Sequence, residues 1–517
     1  MPLPENNSPW PPRELAPQLL DMRVDDAWYS GDKNRLRQVY ALQEYGSSNG
    51  QLRDERGRPW RFWERPRPTG MRDGRLHVPL AADIASTSAD LLFSEPPTFT
   101  VDSKDTQERL DEILDEGGAA NTLLEAAELS AALGGVCLRA TWNTDLAPRP
   151  LLTAAHADGA IPTWSMGVMT SLLIWREVER HGNEVRRHLE LHESGKVSHG
   201  LYEGTLDNLG MRVPLTEHEA TSDLVTSLGV EGDSIATGIK PLTAVYVPNM
   251  RPNRKYRGSM LGRSDWQDDG IRDLFMSLDE TYTSWMRDIR LAKSRLIVPN
   301  GMLTSEGPGK GASFDDDREV WTGINASPTS GEGITENQFN IRVAEHEQTW
   351  TALIRQAVQS AGYSAQTFGL GDATAVTATE VVARERRSMI TRDRKGRYWA
   401  PELSQIGEVL LLLDRRLGLS TVEAQRPRIE FGDSVSEDPK TTAETIELLF
   451  RAQAASAETR VRIAHPDWED QEVKEEADRI LTETGALVSD PTLTGAEGLP
   501  GQPPPPGAPP GSGPDEE

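Results

Sequence analysis

Cysteine is almost absent from this chain, with Cys137 its only copy. One thiol excludes an intrachain disulfide framework and a thiolate metal cluster, and it suits a reducing compartment. Long apolar runs are missing too. A membrane span needs about 20 consecutive apolar residues, and the longest run here is Val409–Leu413. The opening MPLPENNSPWPPREL lacks a basic stretch followed by an apolar core, so no secretory leader is expected. Basic charge is in deficit: 55 Lys and Arg face 81 Asp and Glu over 517 residues, a formal net charge of −26. That balance argues against a protein that holds nucleic acid through counterion release, though not against one that touches duplex and lets it go. What is present, 37% hydrophobic residues, is enough for about three folding units at roughly 150 residues each.

Catalytic signatures are absent as well. Gly307-Pro-Gly-Lys-Gly311 lacks the Walker spacing, and His346-Glu347 has no second histidine a turn later. There is no G-x-S-x-G elbow. His188, Glu190 and His192 alternate along one expected strand, and with His199 across the hairpin they could ligate zinc. The plainer account is a solvated sheet face, with Leu189 and Leu191 on the buried side. Asp315-Asp316-Asp317 reads as solvated charge, Cys137 as a core residue, and Glu380 as a carboxylate suited to a helix N-terminus. No catalytic residue, cofactor or metal is expected, and the sequence does not support an enzyme.

Hydrophobic periodicity lays out the chain. Six prolines among residues 1–17 predict an extended or loosely docked arm, set at residues 1–29. Helices are expected over 35–45, 79–94, 105–114 and 121–133. Asn121 would cap the last and Gly134-Gly135 would stop it. A strand follows at 136–142, then an antiparallel meander with turns at His181-Gly182-Asn183 and Ser194-Gly195-Lys196.

The clearest helix covers 267–292. Ile271, Leu274, Phe275, Leu278, Tyr282, Trp285, Met286 and Ile289 form its apolar stripe. Asp268, Asp269, Asp273, Asp279 and Glu280 are read as its solvent face. A strand at 295–299, a polar β-rich excursion to 335 and a second helix over 341–361 complete a hairpin of two long rods. Helix resumes over 380–417, with Pro401 opening a fresh first turn. A strand at 428–431 and a helical pair at 441–463 and 467–481, the second capped by Asp467, end the ordered reading. Residues 490–517 hold nine Pro and six Gly and read as a disordered tail.

Several stretches together resemble the portal proteins of tailed bacteriophages, of the siphophage and actinobacteriophage type. They include Gly262-Arg-Ser-Asp265, Asp269-Gly-Ile-Arg-Asp-Leu-Phe275, Trp285-Met-Arg-Asp288 and Lys293-Ser-Arg295-Leu-Ile-Val-Pro299. Thr377-Ala-Thr-Glu380, Thr442-Ala-Glu-Thr-Ile446 and His465-Pro-Asp-Trp468 add to the pattern. The resemblance spans about residues 30 to 488. It implies an α+β portal fold assembled as a ring, a dodecamer in the virion, at the unique capsid vertex. It further implies a wing at 30–265 and 380–432, stem helices at 266–293 and 337–361, and a clip at 294–336. A tunnel-facing segment at 362–379 and a crown at 433–489 complete the set. Expected partners are the terminase large subunit, a head-completion or adaptor protein, the major capsid and scaffolding proteins and, transiently and without sequence preference, double-stranded DNA. No membrane is involved. The expected location is the virion, and the host cytoplasm during assembly.

Within that frame Tyr363, Thr367, Gly369, Gly371 and Thr374 are candidates to face the tunnel. Tyr282, Trp285 and Met286 are candidates for the interface between stems. Arg-rich stretches at 53–75 and 384–397 offer Arg61, Arg65, Arg386, Arg387 and Arg394 for ion pairs between subunits, since guanidinium and carboxylate pair bidentately. An acidic chain suits such a channel, because basic walls would trap the duplex. The competing readings are a nonviral oligomeric scaffold or channel adaptor, a metal-dependent hydrolase on the 188–199 sheet, and a nucleic-acid-binding module.

Overall fold

A computed structural model describes residues 3–46, 75–228, 233–291, 342–370, 378–432, 439–465, 468 and 470–483, with short strands at 295–297, 304–305, 312–313 and 335–337. The architecture is mixed α and β. The chain divides into two compact units, Met1–Ser434 and Val435–Glu517. No described helix is long and apolar enough to cross a membrane.

The first unit opens with α1 (Ala16–Ser30) and α2 (Lys33–Gly46), then α3 (Leu80–Phe93), β1 (Thr98–Thr100), α4 (Lys104–Asp115) and α5 (Ala119–Leu133). The expected arm over 1–29 is not an arm. Pro9 bridges to Asn208, Trp10 lies edge-on to Trp175 at 5.4 Å, and Leu19, Met22 and Trp28 of α1 are buried. Pro17 sits in the first turn of α1, where a missing N–H costs nothing. Asn121 is no cap either: α5 starts two residues earlier, behind Gly118. Gly134 does stop it, in the left-handed conformation (φ 83°), with the Arg263 backbone 2.9 Å from where a Cβ would stand.

Next come β2 (Gly135–Thr141), β3 (Leu151–His156), β4 (Ala160–Ser165), β5 (Val168–His181), β6 (Glu184–Glu193), β7 (Lys196–Thr205), β8 (Met211–Val213), α6 (Glu219–Leu228), β9 (Ser234–Ala236) and β10 (Ala244–Pro248). A three-stranded sheet of order β10-β2-β3 has apolar layers on both faces. Val136, Leu138, Val245 and Val247 face one layer, with Leu110, Leu123 and Leu410. Cys137, Ala244 and Tyr246 face the other, with Trp28, Ile84, Phe275 and Val358. Burial on both sides explains why β2 lacks the polar half of a strand pattern. The meander forms as expected inside a six-stranded sheet of order β4-β5-β6-β7-β8, with β9 beside β7.

The long hairpin is built by α7 (Asp269–Leu291), β11 (Arg295–Ile297), β12 (Thr304–Ser305), β13 (Ala312–Ser313), β14 (Thr335–Asn337) and α8 (Val343–Ala361). β11 pairs antiparallel with β14, and β12 with β13. Gly307–Gly311 and Asp315–Asp317 lie outside the described residues. Burial fades along α7: Ile271, Phe275 and Leu278 are buried, whereas Ile289 is 40% exposed. Then α9 (Ala378–Arg416) runs as one helix of 39 residues with Pro401 inside it, so Pro401 does not open a new helix. Trp399, Leu403 and Ile406 on either side are fully buried, and that packing offsets the roughly 3 kcal/mol a proline costs within a helix. β15 (Arg428–Glu430) closes the unit by pairing with β1.

Among its described residues the second unit has three helices where a pair was expected: α10 (Pro439–Arg451), α11 (Ala457–Ala464) and α12 (Asp470–Glu483). Ser456 makes the break, its hydroxyl accepting from the Thr459 N–H at 3.2 Å. Ala457, Val461, Val473 and Ala477 form its small core. Asp467 lies outside the described residues.

Candidate functional site

The two ends of the helical hairpin are tied to the body of the first unit by buried polar joints. Asp265, just ahead of α7, is fully buried and sits at the centre of the first. Its Oδ2 accepts from Lys395 Nζ of α9 at 2.8 Å and from the Tyr363 hydroxyl, just past α8, at 2.7 Å. Its Oδ1 accepts from Asn249 at 2.8 Å, and Lys395 also donates to Ser88 of α3 at 2.6 Å. Burial lowers the Lys395 pKa and the Asp265 charge opposes that shift. Burial and the same carboxylate push the Tyr363 hydroxyl up. A charge pair this dry persists because further hydrogen bonds from Tyr363 and Asn249, and to Ser88, support both charges. Next to it, Ser388 of α9 donates to or accepts from Thr367 at 2.8 Å and takes the Ser364 N–H at 2.9 Å.

The second joint locks α7 to α1. Arg272 donates to Asp25 Oδ1 at 2.7 and 3.0 Å and to Asp21 at 3.4 Å. Ser264 donates to the other Asp25 oxygen at 2.8 Å. Burial raises the Asp25 pKa to about 6, against the lowering effect of Arg272 and Ser264. Two turns on, Asp279 is not on a solvent face as the charge pattern suggested. It is buried and accepts from the Tyr40 hydroxyl at 2.6 Å and the Val78 N–H at 2.8 Å, with His77 Nδ1 at 2.9 Å. Farther along the hairpin, Trp285 stacks on His346 at 6.1 Å and 7°, while Asp288 accepts from Arg342 at 3.1 Å and lies 3.0 Å from His346.

A cavity of about 560 Å³ lies between the six-stranded and three-stranded sheets, lined by Arg139, Arg176, His188, Glu190, His192 and His199 among others. The expected solvated face is therefore wrong: His188, His192 and His199 are all under 5% exposed. Burial lowers the His188 pKa to about 3, so this imidazole is neutral near neutral pH. His199 stacks on it, and Glu190 is ion-paired to Arg139. Among the described residues no three His, Cys, Asp or Glu side chains are placed to hold a metal ion. Cys137 is buried and its thiol pushed far up by burial, which disables it as a nucleophile.

Of the tunnel candidates, Tyr363 is 1% exposed and locked to Asp265, so it cannot face an open channel. Thr367 is half-buried against Ser388, Gly369 is exposed in the left-handed conformation (φ 70°), and Gly371 and Thr374 lie outside the described residues. Tyr282, Trp285 and Met286 are half-buried. Arg386, Arg387 and Arg394 are exposed on α9, while Arg61 and Arg65 lie outside the described residues. Sequence reading missed Asp25, Asp265, Arg272 and Lys395 as buried groups. The one available signal was the charge itself, set inside apolar stripes.

Among the described residues no nucleophile, base and oxyanion site converge; the polar groups of the joints pair with one another between helices. The family described as "Phage portal protein, SPP1 Gp6-like" matches residues 19–488, and the chain belongs to it. Membership supports a ring-forming, DNA-channel role in a phage-like particle and a place in the virion. No curated protein matches the chain. Similar solved structures include "Neck of empty GTA particle computed with C6 symmetry", at 13% identity over 89% of this chain and 95% of that one, TM-score 0.39. Another is "Virion of native gene transfer agent (GTA) particle", at 14% identity over 89% and 96%, TM-score 0.39. A third, "Neck of native GTA particle computed with C12 symmetry", has 13% identity over 75% and 89%, TM-score 0.38.

Proposed function

We propose that copies of this chain close into a ring at one capsid vertex, through which terminase drives duplex DNA inward and from which it later leaves. The family match over residues 19–488 carries this reading. The helical hairpin acts as the stem, the segment between its helices as the clip that docks terminase and then head-completion protein, and the second unit as the crown. The body built on the two sheets acts as the wing. The buried joints supply what such a part needs: a hairpin that takes load along its length is bolted at its base to α1, α3 and α9. A net charge of −26 keeps the wall from gripping the phosphate backbone. The neutral, buried His188 imidazole in the sheet cavity adds no cationic grip. Heads assembled without this chain are expected to contain no packaged DNA, scored as nuclease-protected genome per particle. Normal filling without it would overturn the reading.

A further inference from the structure

Rings made by rotation alone join two different faces of each subunit, and those faces lie at similar height and radius. Two exposed helical stripes of this chain carry opposite charge. On α7, Asp269, Asp273, Ser277, Glu280 and Ser284 fall at spacings of one turn and are exposed. On α9, Arg387, Ile390, Arg394 and Arg397 do the same, and Ile390 is 52% exposed. Arg394 adjoins Lys395 and α7 starts four residues after Asp265, so the buried Lys395–Asp265 bond pins both stripes to one joint. Yet among the described residues Asp273, Glu280, Arg387 and Arg394 make no ion pair.

We propose that the α9 stripe of one copy docks on the α7 stripe of the next, with Arg387 and Arg394 paired to Asp273 and Glu280. The spacing fits. Arg387 and Arg394 are seven positions apart, as are Asp273 and Glu280, so each pair spans about 10 Å at 1.5 Å per residue. Two helices laid side by side bring both pairs into register, with Ile390 and Ser277 filling the space between. Copies that each carry −26 repel one another, and an interface that places opposite charges face to face offsets this where they touch. This deepens the ring reading above and rests on it.

The test is a charge swap on the full chain, read by native mass spectrometry. R387E/R394E and D273R/E280R should each lower the ring fraction about tenfold, because like charges across an interface cost several kcal/mol. The four changes in one chain should restore at least half of the wild-type fraction. All four side chains are exposed, so thermal melts should stay near wild type and report any misfolding. Rings that ignore both reversals, or that the combined chain fails to restore, would overturn this pairing while leaving the ring intact. Should α9 face DNA instead, R387E/R394E would lose DNA affinity without losing rings, which also overturns it. If wild type forms no ring, the ring reading itself falls.

Discussion

Replacing Lys395 with methionine is expected to destabilise the first unit by about 3–5 kcal/mol, the usual consequence of stranding one charge of a buried pair. Asp265 would keep the Tyr363 hydroxyl and Asn249 as donors, which stabilise a carboxylate less than an ammonium does at 2.8 Å. Adding Asp265→Asn should recover most of the loss, since both charges then leave together and asparagine retains an acceptor. Denaturant midpoints of the two single variants and the double variant separate these outcomes. Hydrogen exchange should localise the damage to residues 363–368 and the adjoining turns of α9. An unchanged midpoint for Lys395→Met would mean that the joint does not brace the hairpin.

The Arg272→Met variant should lose a similar amount, about 3–5 kcal/mol, because it leaves Asp21 and Asp25 facing each other inside the α1–α7 contact. This loss depends on pH with a definite sign. Folding raises the Asp25 pKa from 3.8 to about 6, so the folded state binds a proton that the unfolded chain releases. The stability tied to that proton is fully present below 3.8 and is lost as pH rises through about 6, roughly 3 kcal/mol in all. Without Arg272 the carboxyl loses its main lowering influence and the window moves upward. The defect should therefore be large at pH 7.5 and shrink by pH 5. Amide protection of α1 and the first turns of α7, corrected for intrinsic exchange, measures it. A defect of equal size at both values would contradict the assignment.

Both joints left little more than their charges to read in the sequence, for the same reason. Asp279 falls on α7 where the charge pattern also suits solvent, Lys395 lies 130 residues from Asp265, and the partners of Asp279 and Arg272, Tyr40 and Asp25, are 239 and 247 residues away. Only chain topology brings them together. What periodicity records locally was legible: the apolar stripe of α7, the meander turns at Gly182 and Gly195, the stop at Gly134. Single-residue rules fared worse where packing overrode them. Pro401 reads as a helix start, yet Trp399 and Leu403 bury on either side and carry the helix through it. The prolines around Trp10 read as an arm, whereas a buried indole pins that stretch to the six-stranded sheet. The histidine strand misled differently: alternation says that two faces exist, and a second sheet covering the polar one leaves no local mark.

Tyr363 shows how burial decides function. The family resemblance put it in the tunnel-facing segment, but the hydroxyl is spent on Asp265 and the side chain has no open surface. Of that segment's candidates, Gly369 keeps an exposed backbone among the described residues.

Rotationally averaged electron images of the purified full chain put the question most simply. Closed annuli of a single dominant subunit number, with a central hole wide enough for duplex DNA, are the expected result. Particles that stay monomeric at high concentration, or that associate into open chains without a hole, would contradict the whole reading.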